Sequence, residues 1–292
     1  MRKERLVLLF LSSFFLLSFF ACGPAQVATP PVCSLVGTTE QIDQSGRLST
    51  QVERSFTYAG GQLTSLYERN TDRQAGYRLE YNSNRVSRAT DTQNQLTIAF
   101  DYALTQETDK PYRATFSRNN QLQTVYNLEY LPSGKISRVV ENPQVVPIGA
   151  TTIERIFTMT YDETGNITLE RTQARQRNGS VLTTETEYTL DTQPSPYASV
   201  SQPVLLTIVA LSQGVETLPG RFWNTGTVTG YTTYSVGTGN ARTRREVATF
   251  TSTRDEFKKL TVQEQTTLSY LNSQTNPTSR KTQHTYVYQC RQ

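Results

Sequence analysis

Hydrophobic and polar residues alternate with a period of two along most of this chain. A clear example runs through residues 157–161 and resumes at residues 167–169, on either side of the stretch Asp162-Glu-Thr-Gly165. Because successive side chains of a β-strand point to opposite faces, this pattern predicts two strands with one apolar and one polar face. Asp162 favours the first position of a type I turn, and Gly165 can adopt the left-handed conformation that closes a hairpin. The stretch therefore predicts a β-hairpin.

Turn signals of this kind recur along the first two thirds of the chain. In several of them an apolar residue stands two positions after a final Gly or Asn, which are residues that tolerate a positive φ. These turns are Asp91–Asn94 before Leu96, Ser117–Asn120 before Leu122, Leu131–Gly134 before Ile136 and Asp162–Gly165 before Ile167. Further turns are expected at Ala59–Gly61, at Asn82–Asn84 and, of the primed type, at Arg177–Ser180. The repetition predicts an all-β, antiparallel up-and-down meander of roughly 12–16 strands.

The alternation is interrupted after Asp191. Prolines are frequent there, and Val204–Leu211 is the most continuously apolar stretch beyond the N-terminal segment. This stretch fits a short helix or loop inside the fold, or a strand that is buried on both faces. A barrel of this width cannot be filled by its wall side chains alone. We therefore expect residues 191–224 to include an inserted plug within a single β domain that spans residues 33–292.

Strands are expected to resume after this insertion and to continue to the end of the chain. The predicted segments are Gly226–Val236, Arg244–Thr253, Leu260–Leu271 and Lys281–Cys290. No compositional break separates them from the earlier strands. Thr, Tyr, Val and Gln are abundant and charged residues make up 18% of the chain, which favours strands over disorder.

The first residues predict export. Basic residues at positions 2, 3 and 5 precede an apolar run, Leu6–Phe20, so residues 1–21 are expected to be a signal peptide. The ending Ser18-Phe-Phe-Ala-Cys22 resembles the lipobox of bacterial lipoproteins, with Phe19 in place of the usual aliphatic residue. That resemblance implies a lipid on Cys22, followed by a flexible tether over residues 22–32. An ordinary cleaved signal or an anchor helix is the alternative.

Two further cysteines stand near the two ends of the exported chain. An exported protein meets an oxidising compartment, so Cys33 and Cys290 are expected to form a disulfide. Such a bond places the first strand beside the last, as an up-and-down barrel requires. Two unpaired buried thiols are the alternative.

The repeated turns resemble those of YD-repeat proteins, whose units contain Tyr-Asp-x-x-Gly-Asn/Arg-Leu/Ile. The matching residues are Tyr161, Asp162, Gly165, Asn166 and Ile167 and, in part, Tyr130, Gly134 and Ile136, where Leu131 replaces the aspartate. Together with the lipobox, the chain resembles a family of Gram-negative envelope lipoproteins of unknown function. That resemblance implies a porin-like β fold, either a barrel or a half-barrel, at the outer membrane, and it implies no active site.

The position of charged residues favours a soluble barrel over a membrane-spanning one. Neighbouring pairs such as Glu68 with Arg69, and Glu170 with Arg171, place charges on both faces of a strand. An arginine facing lipid at the bilayer midplane costs about 2–4 kcal/mol. A lipid anchor is also superfluous on an integral barrel.

Residues suited to catalysis are few. His284 is the single histidine, and one histidine without clustered cysteines gives too few ligands for zinc. The carboxylate pairs Asp162/Glu163 and Asp255/Glu256 lie at predicted turns, where neighbouring side chains do not converge. The basic residues are dispersed, which argues against a nucleic-acid partner. We therefore expect no metal, no cofactor and no enzymatic activity, although an enzyme without a known motif is a third hypothesis.

The function that these features favour is a lipid-anchored, non-enzymatic binding module of the cell envelope, attached to the membrane through its N-terminal lipid. Its ligand is expected to be a glycan or an apolar molecule, because tyrosines are abundant and aromatic rings stack on sugars and fill pockets. Phe222 and Trp223 are the candidate binding surface. The alternative is a structural or interaction subunit that uses a sheet face or a strand edge.

Overall fold

In the described part of the chain, sixteen antiparallel strands follow one another around a closed barrel, in which each strand pairs with its neighbours in the sequence and the first strand lies beside the last. The computed structural model describes residues 32–44, 46–103, 109–146, 149–214, 218–270 and 276–291. The predicted signal peptide, Cys22 and nearly all of the predicted tether lie outside these residues. Cys33–Cys290 form one compact unit. The predicted all-β up-and-down fold is confirmed.

The strands account for nearly all the predicted segments. They are β1 (Val32–Gln44), β2 (Arg47–Ala59), β3 (Gln62–Asn70), β4 (Gln74–Asn82), β5 (Arg85–Asp91), β6 (Leu96–Asp101), β7 (Arg113–Arg118), β8 (Gln121–Tyr130), β9 (Ile136–Pro143), β10 (Thr152–Tyr161), β11 (Ile167–Gln176), β12 (Val181–Pro194), β13 (Gly226–Val236), β14 (Arg242–Arg254), β15 (Leu260–Ser269) and β16 (Thr278–Arg291).

The barrel is closed covalently as well as by strand pairing. A disulfide joins Cys33 in β1 to Cys290 in β16, which confirms the predicted bond and excludes the two free thiols. Because the strands run alternately up and down, the connections fall at two ends. The end that holds this disulfide and the 162–166 turn is called the terminal end, and the opposite one the far end.

The hairpin predicted at Asp162–Gly165 is present. The amide of Gly165 donates to the carbonyl of Asp162 over 3.1 Å, and Gly165 has a φ of 80°. The Asp162 carboxylate accepts from the backbone amides of Thr164 (3.0 Å) and Asn166 (2.8 Å). Aspartate therefore stabilises this turn through its side chain, as the sequence signal requires.

Two other turns differ from their predictions. At Asp91–Asn94 the positive φ falls on Gln95 (52°), one residue later than predicted, and the side chain of Asn94 donates to the Asp91 carboxylate. At Arg177–Ser180 only Gly179 has a positive φ, and its amide donates to the carbonyl of Gln176. A primed turn needs a positive φ at its first central residue, so this hairpin repeats the geometry of the 162–165 turn.

The chain between β12 and β13 folds into the barrel. This plug, defined as residues 195–225, contains the helix α1 (Pro203–Ser212) between single turns of 3-10 helix at Pro196–Ser199 and Pro219–Trp223. All side chains of Val204–Leu211 are buried, which is why this helix is apolar all round. The apolar stretch is therefore a helix and not a doubly buried strand.

The helix α1 runs from one end of the barrel to the other along the wall of the first strands. Its start, at Gln202, lies beside the Gly60–Gly61 turn of the terminal end. Beyond its last residue, the side chain of Gln213 donates to the hydroxyl of Tyr77 (3.0 Å), and its carbonyl accepts from Arg73 at the far end (3.4 Å). One side of the barrel is thus filled by the helix.

The outer face of the barrel is polar. Outward-facing ion pairs join Arg69 to Glu53 (2.5 Å) and Arg138 to Glu129 (2.5 Å) across neighbouring strands. No helix within the described part of the chain is long and apolar enough to cross a membrane.

Candidate functional site

A cavity of about 360 Å³ lies between the plug and the wall formed by β12–β16 and β1. This barrel cavity occupies the side of the interior that α1 leaves unfilled. Aromatic and hydrogen-bonding side chains line it together. Its aromatic residues are Tyr188, Tyr197, Tyr231, Phe250 and Tyr286, and its charged or amide residues are Glu40, Arg221, Glu246, Gln263, Gln265, Arg280 and His284.

The cavity opens at the far end and is closed at the terminal end. Every second residue of β16 from Arg280 to Tyr286 lines it. The side chain of Arg280 is 52% exposed, whereas His284 and Tyr286 are each 8% exposed. The floor is formed by Tyr286, by Tyr197 of the plug, whose ring centroid lies 6.3 Å from that of Tyr286, and by the buried Thr227.

A chain of hydrogen bonds runs from the mouth into the cavity. Tyr231 donates to the carboxylate of Glu246 at the mouth over 3.4 Å, and the amide of Gln265 donates to the Tyr231 hydroxyl over 3.2 Å. The amide oxygen of Gln265 lies 2.9 Å from Nε2 of His284. Since that oxygen can only accept, Nε2 carries a proton. These hydrogen bonds fix the orientation of four cavity side chains.

A carboxylate lies beside His284. Oε2 of Glu40 is 3.7 Å from Nδ1 of His284 and 3.7 Å from Nη1 of Arg221. Burial acts to raise the pKa of Glu40, but Arg221 and the other nearby cations outweigh it, so the pKa is lowered and the group is ionised at neutral pH. Within the described chain its carboxylate accepts no hydrogen bond, because both neighbours lie beyond hydrogen-bond distance.

Burial sets the charge of His284. It lowers the pKa of the imidazole to about 4, even though the neighbouring Glu40 acts in the opposite direction. The ring is therefore neutral at pH 7. Among the described residues, the charges that line the cavity are then those of two carboxylates, Glu40 and Glu246, and two guanidinium groups, Arg221 and Arg280.

The predicted binding pair is part of the core. Phe222 and Trp223 are 2% and 7% exposed, so the expectation that they form a binding surface is wrong. The guanidinium carbons of Arg54 and Arg221 lie 5.4 and 5.2 Å from the centroid of the Phe222 ring. The indole of Trp223 donates to Thr207 of α1 over 3.0 Å. Both rings therefore hold the plug together.

The plug is tied to the hairpin motif of the sequence. The side-chain oxygen of Asn166 accepts from the backbone amides of Thr225 (3.0 Å) and Gly226 (2.7 Å) and from the Thr225 hydroxyl (2.8 Å). The side-chain oxygen of Asn224 accepts in turn from the amide of Ile167 over 2.7 Å. The plug wall of the cavity is thereby fixed to the terminal end.

Three tyrosines at the terminal end donate their hydroxyls to backbone carbonyls. Each of these carbonyls belongs to the apolar residue that stands two positions after an earlier turn. The pairs are Tyr81 with Leu63 (2.5 Å), Tyr102 with Val86 (2.8 Å) and Tyr161 with Ile136 (2.8 Å). These tyrosines form a rim at the terminal end, and they do not support the Tyr-rich binding surface expected from composition.

Sequence reasoning did not identify the cavity residues, because they are spread over six strands and the plug. One signal was present. Along β15 and β16 the inward positions are polar at Gln263, Gln265, Thr282 and His284, whereas the inward positions of β3–β8 are mainly apolar. Polar side chains on the buried face of a strand indicate an internal polar site.

No protein-family model matches this chain, and no curated protein matches its sequence. Similarity to solved structures shows the fold. A porin-like protein from Bacteroides uniformis is 14% identical over 89% of this chain and 97% of that protein, with a TM-score of 0.53. A porin-like protein from Bacteroides vulgatus is 11% identical over 88% of this chain and 99% of that protein, with a TM-score of 0.49. This chain thus has a closed antiparallel barrel fold similar to that of a porin-like protein.

Proposed function

We propose that this protein is a non-enzymatic saccharide-binding barrel of the cell envelope, and that the barrel cavity holds the saccharide. The composition of the cavity lining is the observation that supports this proposal. Aromatic rings such as Tyr231 and Phe250 offer faces to sugar rings, while Gln263, Gln265 and Glu40 offer hydrogen-bonding groups to hydroxyls. Its volume is within the range of small-molecule sites.

An apolar ligand fits this lining less well. It would cover carboxylate, guanidinium and amide groups without replacing their hydrogen bonds to water, and each such group costs about 1–3 kcal/mol. A polyhydroxylated ligand satisfies those groups. Of the two ligand classes that the sequence favoured, the glycan is therefore the one we propose.

We propose attachment to the outer membrane through a lipid on Cys22. The chain enters the barrel at Cys33 on the terminal end, and the cavity opens at the far end. A membrane anchor on Cys22 would therefore leave the mouth directed away from its attachment point. The ion pairs on the outer face of the barrel support a surface that meets water and not lipid.

The closed barrel leaves only one of the two surfaces that the alternative role as an interaction subunit could use. A closed barrel has no free strand edge, so pairing of a partner with an edge is not available to it. The outer sheet face remains as the surface for that alternative. Recovery of one defined partner by crosslinking in intact cells, with no saccharide binding by the purified barrel, would favour it.

A glycan array and calorimetry on the purified barrel test the proposed function. We expect a saccharide to bind, and Tyr231→Ala to weaken its binding by about tenfold or more. The matched control is Tyr234→Ala in the same strand, because the ring of Tyr234 lies outside the barrel beneath the guanidinium of Arg242. Equal losses from the two variants, or no binding on the array, would contradict the proposal. Release of reducing sugar by the wild type would show an enzyme instead.

A further inference from the structure

Within the part of the chain that the structure describes, the barrel cavity opens at the far end and has a closed floor. At its mouth stand Glu246 and the exposed Arg280. At its floor the buried Tyr286 and Tyr197 contact each other edge to face, and Tyr197 contacts Phe222 in the same way at 5.0 Å. A polymer cannot pass through such a space, since the plug blocks the terminal end.

The wall of the cavity, between its mouth and its floor, offers oxygen atoms that the described protein groups do not use. The Glu40 carboxylate, whose side chain is 27% exposed, accepts no hydrogen bond from those groups, and the same holds for the hydroxyl of Thr282, which lies on the inner face of β16 between Arg280 and His284. Polar atoms that a ligand covers need partners. Glu40 and Thr282 therefore favour a ligand that brings hydroxyls into the cavity.

Among the described residues that line the cavity, the charges balance one another. Glu40 and Glu246 carry two negative charges, Arg221 and Arg280 carry two positive ones, and His284 is neutral at pH 7. A ligand with a net charge would be left without a compensating partner in a partly desolvated space, which is unfavourable.

We infer that the cavity receives the terminal residue of a neutral saccharide chain, end-on from the far end, with its hydroxyls bound by Glu40 and Thr282. This inference rests on the proposed saccharide binding and adds to it the part of the chain that is recognised. An internal segment of a polysaccharide is excluded because both of its ends would have to leave through one mouth.

A length series tests the end-on geometry. The probe is the neutral oligosaccharide that gives the strongest array signal, prepared at increasing lengths and also with the hydroxyls of its free terminal residue methylated. We expect affinity to change by less than about threefold beyond the shortest chains, and methylation to weaken binding by about tenfold or more. Binding that is unaffected by methylation, or that strengthens steadily with length, overturns the end-on inference and leaves saccharide binding intact.

Two variants test the roles of Glu40 and Thr282 in the cavity wall. Glu40→Gln and Thr282→Val preserve side-chain shape, and each is expected to weaken binding of that probe by about tenfold. Glu187→Gln is the control, since Glu187 pairs with Arg242 on the outer face of the barrel. Wild-type affinity in both Glu40→Gln and Thr282→Val overturns the inference, as does an array signal confined to anionic glycans. An array with no signal overturns the inference and the proposed function together.

Discussion

Two residues of the same hairpin motif, Asp162 and Asn166, have separate functions in this fold. Asp162 accepts hydrogen bonds within its own turn, which is a local role that any isolated hairpin could use. Asn166 directs its side chain away from the turn and accepts hydrogen bonds from Thr225 and Gly226 at the exit of the plug. The sequence motif therefore couples hairpin formation to the position of the plug.

Replacing Asn166 measures that coupling. We expect Asn166→Ala to lower the free energy of unfolding by about 2–3 kcal/mol, because it leaves buried backbone donors without an acceptor. Asn178→Ala is the matched control, since Asn178 accepts only from Ser180 in its own turn. We expect Asn178→Ala to lower the free energy of unfolding by less than about 1 kcal/mol. Urea unfolding of both variants gives the comparison, and equal losses would show that the plug contacts contribute nothing.

The single histidine predicts a pH dependence of stability. In the folded protein the pKa of His284 is about 4, against 6.5 for the free side chain. Between these values the unfolded chain binds a proton that the folded protein does not, so stability falls as the pH falls. The loss approaches about 3 kcal/mol by pH 4, and the histidine has no effect above pH 6.5.

Unfolding of wild type and His284→Gln across this range separates the histidine from other groups. Glu40, whose pKa is lowered, also makes stability fall with pH, but only below its usual pKa of 4.5. We expect the difference between the two proteins to decrease from pH 6.5 towards pH 4. A difference that does not vary with pH would refute the assignment of a buried neutral imidazole.

At the scale of elements, the plug is shaped to the wall on which it rests. The amide of Gly220 donates to the Glu170 carboxylate over 3.2 Å, and Glu170 also accepts from the Tyr188 hydroxyl over 2.8 Å. A Cβ atom at Gly220 would lie 2.5 Å from Glu170 Oε2 and 2.8 Å from Ile167 Cδ1. The second 3-10 turn of the plug can approach the wall this closely only through glycine.

We therefore expect Gly220→Ala to lower the free energy of unfolding by about 1–3 kcal/mol through overpacking. Thermal or urea unfolding measures the change. Gly76→Ala in β4 is the control, because a Cβ there would meet only the Tyr67 ring, at 3.8 Å, and its φ is not positive. That substitution should be close to neutral. A Gly220→Ala variant as stable as Gly76→Ala would show that the plug can move away from its wall.

The whole molecule has an interior divided in two. Apolar inward residues from β3 to β9 pack on α1, whereas polar inward residues of β14–β16 surround the cavity. Between the apolar half and the cavity half, Arg54 and Glu68 form an ion pair of 2.6 Å that is almost fully buried. The plug thus separates a packed half from a half that can hold a ligand.

The disulfide stabilises this closed arrangement. It joins residues 257 positions apart, so the chain-entropy model gives about 5.5 kcal/mol of stabilisation relative to the reduced unfolded chain. We expect reductant to lower the urea midpoint of the wild type strongly. A Cys33→Ser/Cys290→Ser double variant should unfold at the midpoint of the reduced protein and be insensitive to reductant. A wild-type midpoint that reductant leaves unchanged would contradict this expectation.

The sequence by itself determined the strands, most of the turns and the closure of the barrel. Alternation, Gly and Asn at turns and the two distant cysteines are local or compositional signals, because backbone conformation depends on neighbouring residues. Only the tertiary structure decided that Phe222 and Trp223 are core, that the rim tyrosines bind carbonyls, and that Glu40, Tyr231, Gln265 and His284 share one cavity. Those residues come from distant strands, and the barrel curvature and the path of the plug bring them together.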